Sequence, residues 1–290
     1  MKTHAAPTQT LPFELGEARS HAGLTIVPLC SLEEPRLEYV GLDEAVARGL
    51  SVAEVDEHGV VERLFVRNPL DEHVLLYEGE ELVGAKQNRI CAWTTLVAAG
   101  SKTTLDVHCV EHGRWSRRSH TFAAAPRIAY PALRLAKARG GQAAVWSDIE
   151  AKSARMQAFS PTAAAEAIYV SRAGSLDEYT VALPRLDGQT GALVAIAGEI
   201  VCLDYVSRSD VFAGLYAKLL RGYALDALER PVDKPLQARA VETFLGAIGD
   251  RSGPLFHSAG AGSTRRFSGW VTGHELTFDG EVVALSALPA

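Results

Sequence analysis

No run of eighteen apolar residues occurs in the 290 residues, so no stretch has the length a helix needs to cross a bilayer. Residues 1–18 hold one lysine and no apolar core, which gives a secretory signal nothing to be built from, and a cytoplasmic protein is expected. Cysteine is scarce. Cys30, Cys91, Cys109 and Cys202 stand far apart without a C-x-x-C, each inside an apolar run, and are expected as buried thiols rather than disulfides. The chain also lacks a G-x-S-x-G elbow, an H-E-x-x-H helix, a Walker loop and the kinase motifs, which closes the most direct routes to hydrolase, zinc-protease and nucleotidyl chemistry. Positive charge is in deficit as well. A net charge of -6 argues against a general binder of nucleic acid or of an anionic membrane, so neither is expected as a partner.

What is present is 47% hydrophobic and 22% charged, enough for two modest domains with cores of their own. From Leu24 to Val110 short β-prone runs are punctuated by Gly, Asn and Pro at roughly ten-residue intervals, the texture of an antiparallel sheet. After Trp115 this gives way to alanine-rich helical periodicity over 131–139, 142–156 and 161–172, with Val145, Ile149, Lys152 and Met156 on one face. Strands return at 192–197 and 199–205, followed by an amphipathic helix over 209–228, a helix near 237–248 and a hairpin turning at Phe278-Asp-Gly-Glu281. The expectation is an α+β protein. It comprises an N-terminal antiparallel β-sandwich-like domain over 12–115, a helical connector over 116–187 and a smaller C-terminal α+β domain over 188–290.

Two polar constellations interrupt the apolar pattern. Glu78 to Arg89 packs Glu80, Glu81, Lys86, Gln87, Asn88 and Arg89 around Gly79 and Gly84, nearly every hydrogen-bonding type that a small polar ligand needs. The second, His108 to Trp115, holds Glu111, Arg114 and Trp115: a carboxylate, a forked donor and a stacking face. Strand alternation sends His108 and His112 to one side and Cys109 to the other, so no metal site is expected. For both constellations a purely structural role, ion pairs closing a turn or a strand end, stands beside the functional one. If 90–97 and 103–110 are hairpin partners, Arg89 and Glu111 fall at the same end of one sheet.

The runs GEELVGAKQNR at 79–89, CVEHGRW at 109–115, GALVAIAGEIVCLD at 191–204 and LYAKLLRGYALDAL at 215–228 resemble the ARG and Rhodanese-Phosphatase-superfamily-associated protein family. The resemblance runs from about Leu24 to the C-terminus. It implies an association with ADP-ribosylglycohydrolase-type proteins but no particular reaction. It points to a cytoplasmic binding module for a polar phosphate- and ribose-containing small molecule, ADP-ribose or an NAD-derived metabolite. In that module Lys86, Arg89 and Arg114 neutralise phosphate, Gln87 and Asn88 read polar edges, and Trp115 stacks a ring. Two alternatives remain open. One is a hydrolase of an ADP-ribose-type glycosidic bond with Glu80, Glu81 and Glu111 as acid/base residues; the other is a structural or adaptor protein. No cofactor is called for.

Overall fold

The computed structural model describes residues 10–257 and 260–290. The chain opens with three short strands, β1 (Phe13–Leu15), β2 (Arg19–His21) and β3 (Leu24–Ser31), then β4 (Tyr39–Gly41) and the short helix α1 (Leu42–Ala47). Seven strands follow: β5 (Ser51–Glu54), β6 (Arg63–Arg67), β7 (His73–Leu76), β8 (Glu80–Gly84), β9 (Arg89–Cys91), β10 (Thr95–Val97) and β11 (Lys102–Cys109). After β12 (Phe122–Ile128) come α2 (Pro131–Arg155), α3 (Glu166–Ser171) and α4 (Ala173–Ala182). The remainder is β13 (Gln189–Ile196), β14 (Glu199–Val206), α5 (Ser209–Ala227), α6 (Ala238–Gly249), β15 (Leu255–His257), β16 (Ser263–Phe267), β17 (Val271–Phe278) and β18 (Glu281–Pro289). The protein is α+β, with its large sheets antiparallel.

The largest sheet runs β1-β3-β13-β14-β18-β17-β16-β15, with β2 also on β3. Within it β3 pairs antiparallel with β13, Val27 opposite Leu193, so residues from the expected N-terminal domain are built into the same sheet as the C-terminal strands. Pairing this close has a sequence requirement. A Cβ at Gly191 would lie 2.5 Å from the Asp204 carbonyl oxygen and 2.9 Å from Leu29, so only glycine lets β13 approach both neighbours. The β17–β18 hairpin turns at Asp279 and Gly280, both with positive φ, as a two-residue turn demands.

A six-stranded sheet runs β12-β8-β9-β11-β6-β5, and a bridge between Ala53 and Thr121 brings its two edges together. The strands thus curl into a nearly closed ring. Val52, Leu64, Val66, Leu82, Cys91, Leu105, Val107 and Phe122 belong to one buried cluster within it. A three-stranded sheet, β10-β7-β4, continues this core towards α1.

The region expected as 90–97 is two strands in different sheets, because the chain turns at Ala92 to Thr94, whose polar groups serve buried partners described below. Similarly, 131–139 and 142–156 run as one element kinked at Gly141 (φ 60°). The expected helix over 161–172 starts only at Glu166, because Ser160 instead closes a turn on Ala163 and Ala164. Helix α5 crosses between the large sheet and the ring, with Phe212, Leu215, Leu219, Leu220 and Tyr223 in the main core. Among the described residues no helix is long and apolar enough to cross a membrane.

Two glycines separate close approach from simple propensity. Gly191→Ala is expected to destabilise by about 1–3 kcal/mol through backbone displacement. Gly214→Ala on the exposed face of α5, where nothing lies within 4 Å, should instead stabilise by about 0.5–1 kcal/mol. Denaturant unfolding of both variants checks the pair; equal shifts would mean that β13 does not need its glycine.

Candidate functional site

Strand order β8-β9-β11 brings the two polar constellations together, since Arg89 pairs with Cys109 and Ile90 with His108. Beyond the paired residues the chains remain joined: Val110 N donates to Asn88 O at 3.0 Å, and Asn88 N donates to a Glu111 carboxylate oxygen at 3.1 Å. Gln87 Nε2 reaches the Glu111 carbonyl at 3.2 Å. The segments 87–89 and 109–114 therefore form one unit.

At its centre is Asn88. Its side-chain nitrogen donates to Glu81 at 3.3 Å, and its side-chain oxygen accepts from Arg114 at 3.1 Å. Arg114 also donates to Glu111 at 2.6 Å and to the carbonyls of Ala85 and Ser116, at 2.8 and 2.9 Å. Glu81 is held by a two-point contact from Arg127, at 2.5 and 3.0 Å. Burial raises the Glu81 carboxyl above its ordinary range, against the pull of Arg127. Burial also acts to raise Glu111, but hydrogen bonds from Arg114, Thr162 and the Asn88 amide outweigh it and hold that carboxyl low.

Glu80 is elsewhere. Adjacent residues of a strand face opposite sides, and Glu80 turns towards α5, where Lys218 meets it at 3.0 Å and also pairs with Asp43. It lines a surface cavity of about 220 Å³ with Asp43, Glu44 and Arg208. Of the three carboxylates read as acid/base residues, Glu81 and Glu111 thus share Asn88, while Glu80 belongs to another group of charges.

Arg89 and Trp115 form the outer part of the site. Arg89 lies two residues before Cys91, whose side chain is in the ring's core, so Arg89 is directed to the same side at the end of its strand. It is 0% exposed, donates through Nε to Val61 O at 3.1 Å, and its Nη2 has no hydrogen-bond partner. Gln87 Oε1, Glu54 Oε2 and Arg114 Nε are likewise buried and unpartnered. Above this group lies Trp115, 47% exposed, with the Arg89 guanidinium 5.6 Å and the Lys86 ammonium 5.3 Å from its ring centroid. Lys86 is anchored by the carbonyls of Glu57 and His58.

A second, fully buried cluster escaped the sequence reading. Arg134 on α2 donates to both Asp204 oxygens, at 2.9 and 2.5 Å, to Ser286 at 2.7 Å and to Glu78 at 3.3 Å. Tyr77 and Tyr223 complete Asp204, at 2.8 and 2.7 Å. Lys137 pairs with Glu78 and donates to Ala92 O. Glu78 N donates to Thr94 Oγ1, and that hydroxyl meets His274 Nε2 at 2.9 Å. The Thr94 backbone N–H also donates to Nε2, so the neutral ring carries its proton on Nδ1. Burial would raise Glu78, but Lys137 and Arg134 hold it well below the carboxylate range. Burial lowers His274 to about 4. The available signals were Arg134 and Lys137 one helical turn apart beside Leu133, and an aspartate closing the apolar run Ile200 to Leu203.

Among the described residues no group of three or more His, Cys, Asp or Glu side chains is placed to hold a metal ion. The site is a polar assembly on the end of a small curled β-sheet, closed on one side by Thr162 and Glu166 from the helical segment. The ARG and Rhodanese-Phosphatase-superfamily-associated Protein domain matches residues 12–288, and the chain belongs to that family. No curated protein and no solved structure matches the chain.

His274 sets an acid limit on stability. With a folded value near 4 against an ordinary 6.5, the unfolded chain binds more protons between those values, so stability falls as pH drops from about 6.5 to 4. The loss is on the order of 3 kcal/mol from this ring. Glu78, whose folded value is depressed, adds a further loss below its unfolded value of about 4.5. His274→Gln is expected to flatten the curve between pH 6.5 and about 4.5 in unfolding measurements. An unchanged slope there would locate the titrating group elsewhere.

Proposed function

We propose that the protein binds a polar small molecule carrying phosphate and ribose, of the ADP-ribose or NAD-derived class, at the ring end formed by Lys86, Arg89 and Trp115. The observation that carries this reading is Arg89: a guanidinium removed from water with an unpartnered Nη2 is costly unless something completes it. Phosphate oxygens would accept from that donor, and the indole gives a sugar or purine ring a half-exposed face. The mouth of a small barrel-like sheet is also a common place for a ligand. Gln87 and Asn88 lie beside this group, although Asn88 spends both ends of its side chain on Glu81 and Arg114.

A hydrolase acting on an ADP-ribose-type glycosidic bond is supported by one asymmetry: Glu81 is raised and Glu111 lowered, with Asn88 between them, as an acid and a base require. The structural reading is favoured by the partners these groups already have: Glu81 accepts from Arg127 and Asn88, Glu111 accepts from Arg114 and Thr162, and Arg114 also donates to the carbonyls of Ala85 and Ser116. Cytoplasmic location and an association with ADP-ribosylglycohydrolase-type proteins belong to the same proposal and rest on composition and family name.

Calorimetric titration with ADP-ribose and with NAD separates these readings, using adenosine as the phosphate-free control. Binding of ADP-ribose but not adenosine is expected. Lys86→Gln and Trp115→Ala should each weaken it about tenfold or more while changing stability by only about 0.5 kcal/mol. Release of nicotinamide and ADP-ribose from NAD during the titration would favour the hydrolase. Absence of any heat, together with variants that lose several kcal/mol of stability, would favour the structural role.

A further inference from the structure

Away from the ring, two cavities adjoin beside the C-terminal end of α5. The first, about 250 Å³, has an apolar wall made by Leu135, Ile196, Ile200, Val201 and Pro289. The second, about 710 Å³, brings Arg155, Arg172 and Arg230 around a single carboxylate, Glu229. Glu229 and Arg230 line both, so the apolar wall passes directly into the cationic one.

The charges of the shared wall are arranged so that the acidic members are already occupied. Lys152, buried beneath it, pairs with Asp226 at 2.6 Å and with Glu229 at 2.5 Å, and Arg155 adds a second contact to Glu229 at 2.5 Å. The arginines are not consumed to the same degree. Arg172 is oriented by the Met156 carbonyl at 2.6 Å and its sulfur at 3.5 Å, both neutral groups, and Arg230 meets one carboxylate, Glu199. Each guanidinium has five N–H donors in a planar fork, so donors remain for an anion with several oxygens.

We infer that these two cavities form one binding site for a single-chain amphiphile with an anionic head, an alkyl phosphate or an alkyl carboxylate. The chain lies along Leu135, Ile196, Ile200 and Val201, and the head is met by Arg172 and Arg230. Charge decides the orientation. Reversing the ligand would put the anionic head against an apolar wall and close to Asp226. Neither constellation of the ring takes part, so the site stands independently of ADP-ribose binding.

The test is calorimetric titration of the intact chain with dodecyl phosphate and with dodecanoate, each below its micellar concentration. Inorganic phosphate and dodecyltrimethylammonium serve as controls lacking the chain and the anion. The expected result is one equivalent of dodecyl phosphate or dodecanoate bound, with both controls at least tenfold weaker. Arg230→Gln at the head and Ala132→Trp, at an exposed position lining the apolar half, should each weaken binding tenfold or more, with melting in the absence of ligand unchanged, and Trp115→Ala should have no effect. Equal affinity for inorganic phosphate would show that the apolar half is not used, and equal affinity for the cationic amphiphile that the arginines are not. Either result, or no binding of the anionic amphiphiles, overturns the proposal without reference to whether the variants fold.

Discussion

The buried guanidinium of Arg134 is the contact on which the rest of the molecule depends. It joins helix α2 to Asp204 on β14, to Ser286 on β18 and to Glu78 in the turn before β8, four stretches distant in sequence. Removing so many charges from water costs several kcal/mol per ion, and their mutual attraction offsets this only where the hydrogen bonds are complete. Here nearly all are complete. Asp204 accepts from Arg134, Tyr77 and Tyr223, and Glu78 from Arg134, Lys137 and Ser286. Arg134 Nε remains unpartnered.

That contact also fixes where the ring end can lie. Glu78 precedes the turn at Gly79, whose positive φ and bonds to Cys91 and Ala129 direct β8 into the ring. Once β8 is set, its alternation sends Glu80 to Lys218 and Glu81 to Arg127, and the β9–β11 register carries Arg89 to the ring end beneath Trp115. A polar core of this kind specifies one arrangement of the three sheets and the helices more sharply than apolar packing alone. Arg89 Nη2 at the ring end is among the buried donors left without a partner.

The sequence made the periodic parts legible. Helix α5, the β17–β18 turn and the meeting of residues 87–89 with 109–114 could be read because each rests on local spacing or on the pairing of near neighbours. What could not be read is non-local. The β3–β13 pairing joins positions more than 150 residues apart, and nothing in Leu24 to Ser31 names its partner. Arg134 and Lys137 look like an ordinary solvated helix face until the acids opposite them are known, which come from β14 and the turn before β8. The burial of Arg89 is non-local as well: nothing in the residues beside it marks it as buried, and only closure of the ring removes it from water.

A double-mutant cycle on Arg134 and Asp204, followed by denaturant unfolding, tests the central claim most directly. Arg134→Met and Asp204→Asn should each lose about 3–5 kcal/mol, because each leaves a buried partner uncompensated. The double variant should lose far less than their sum, by a coupling of about 2 kcal/mol or more. Two small losses that simply add would contradict the claim that this buried pair holds the fold and its candidate site in place.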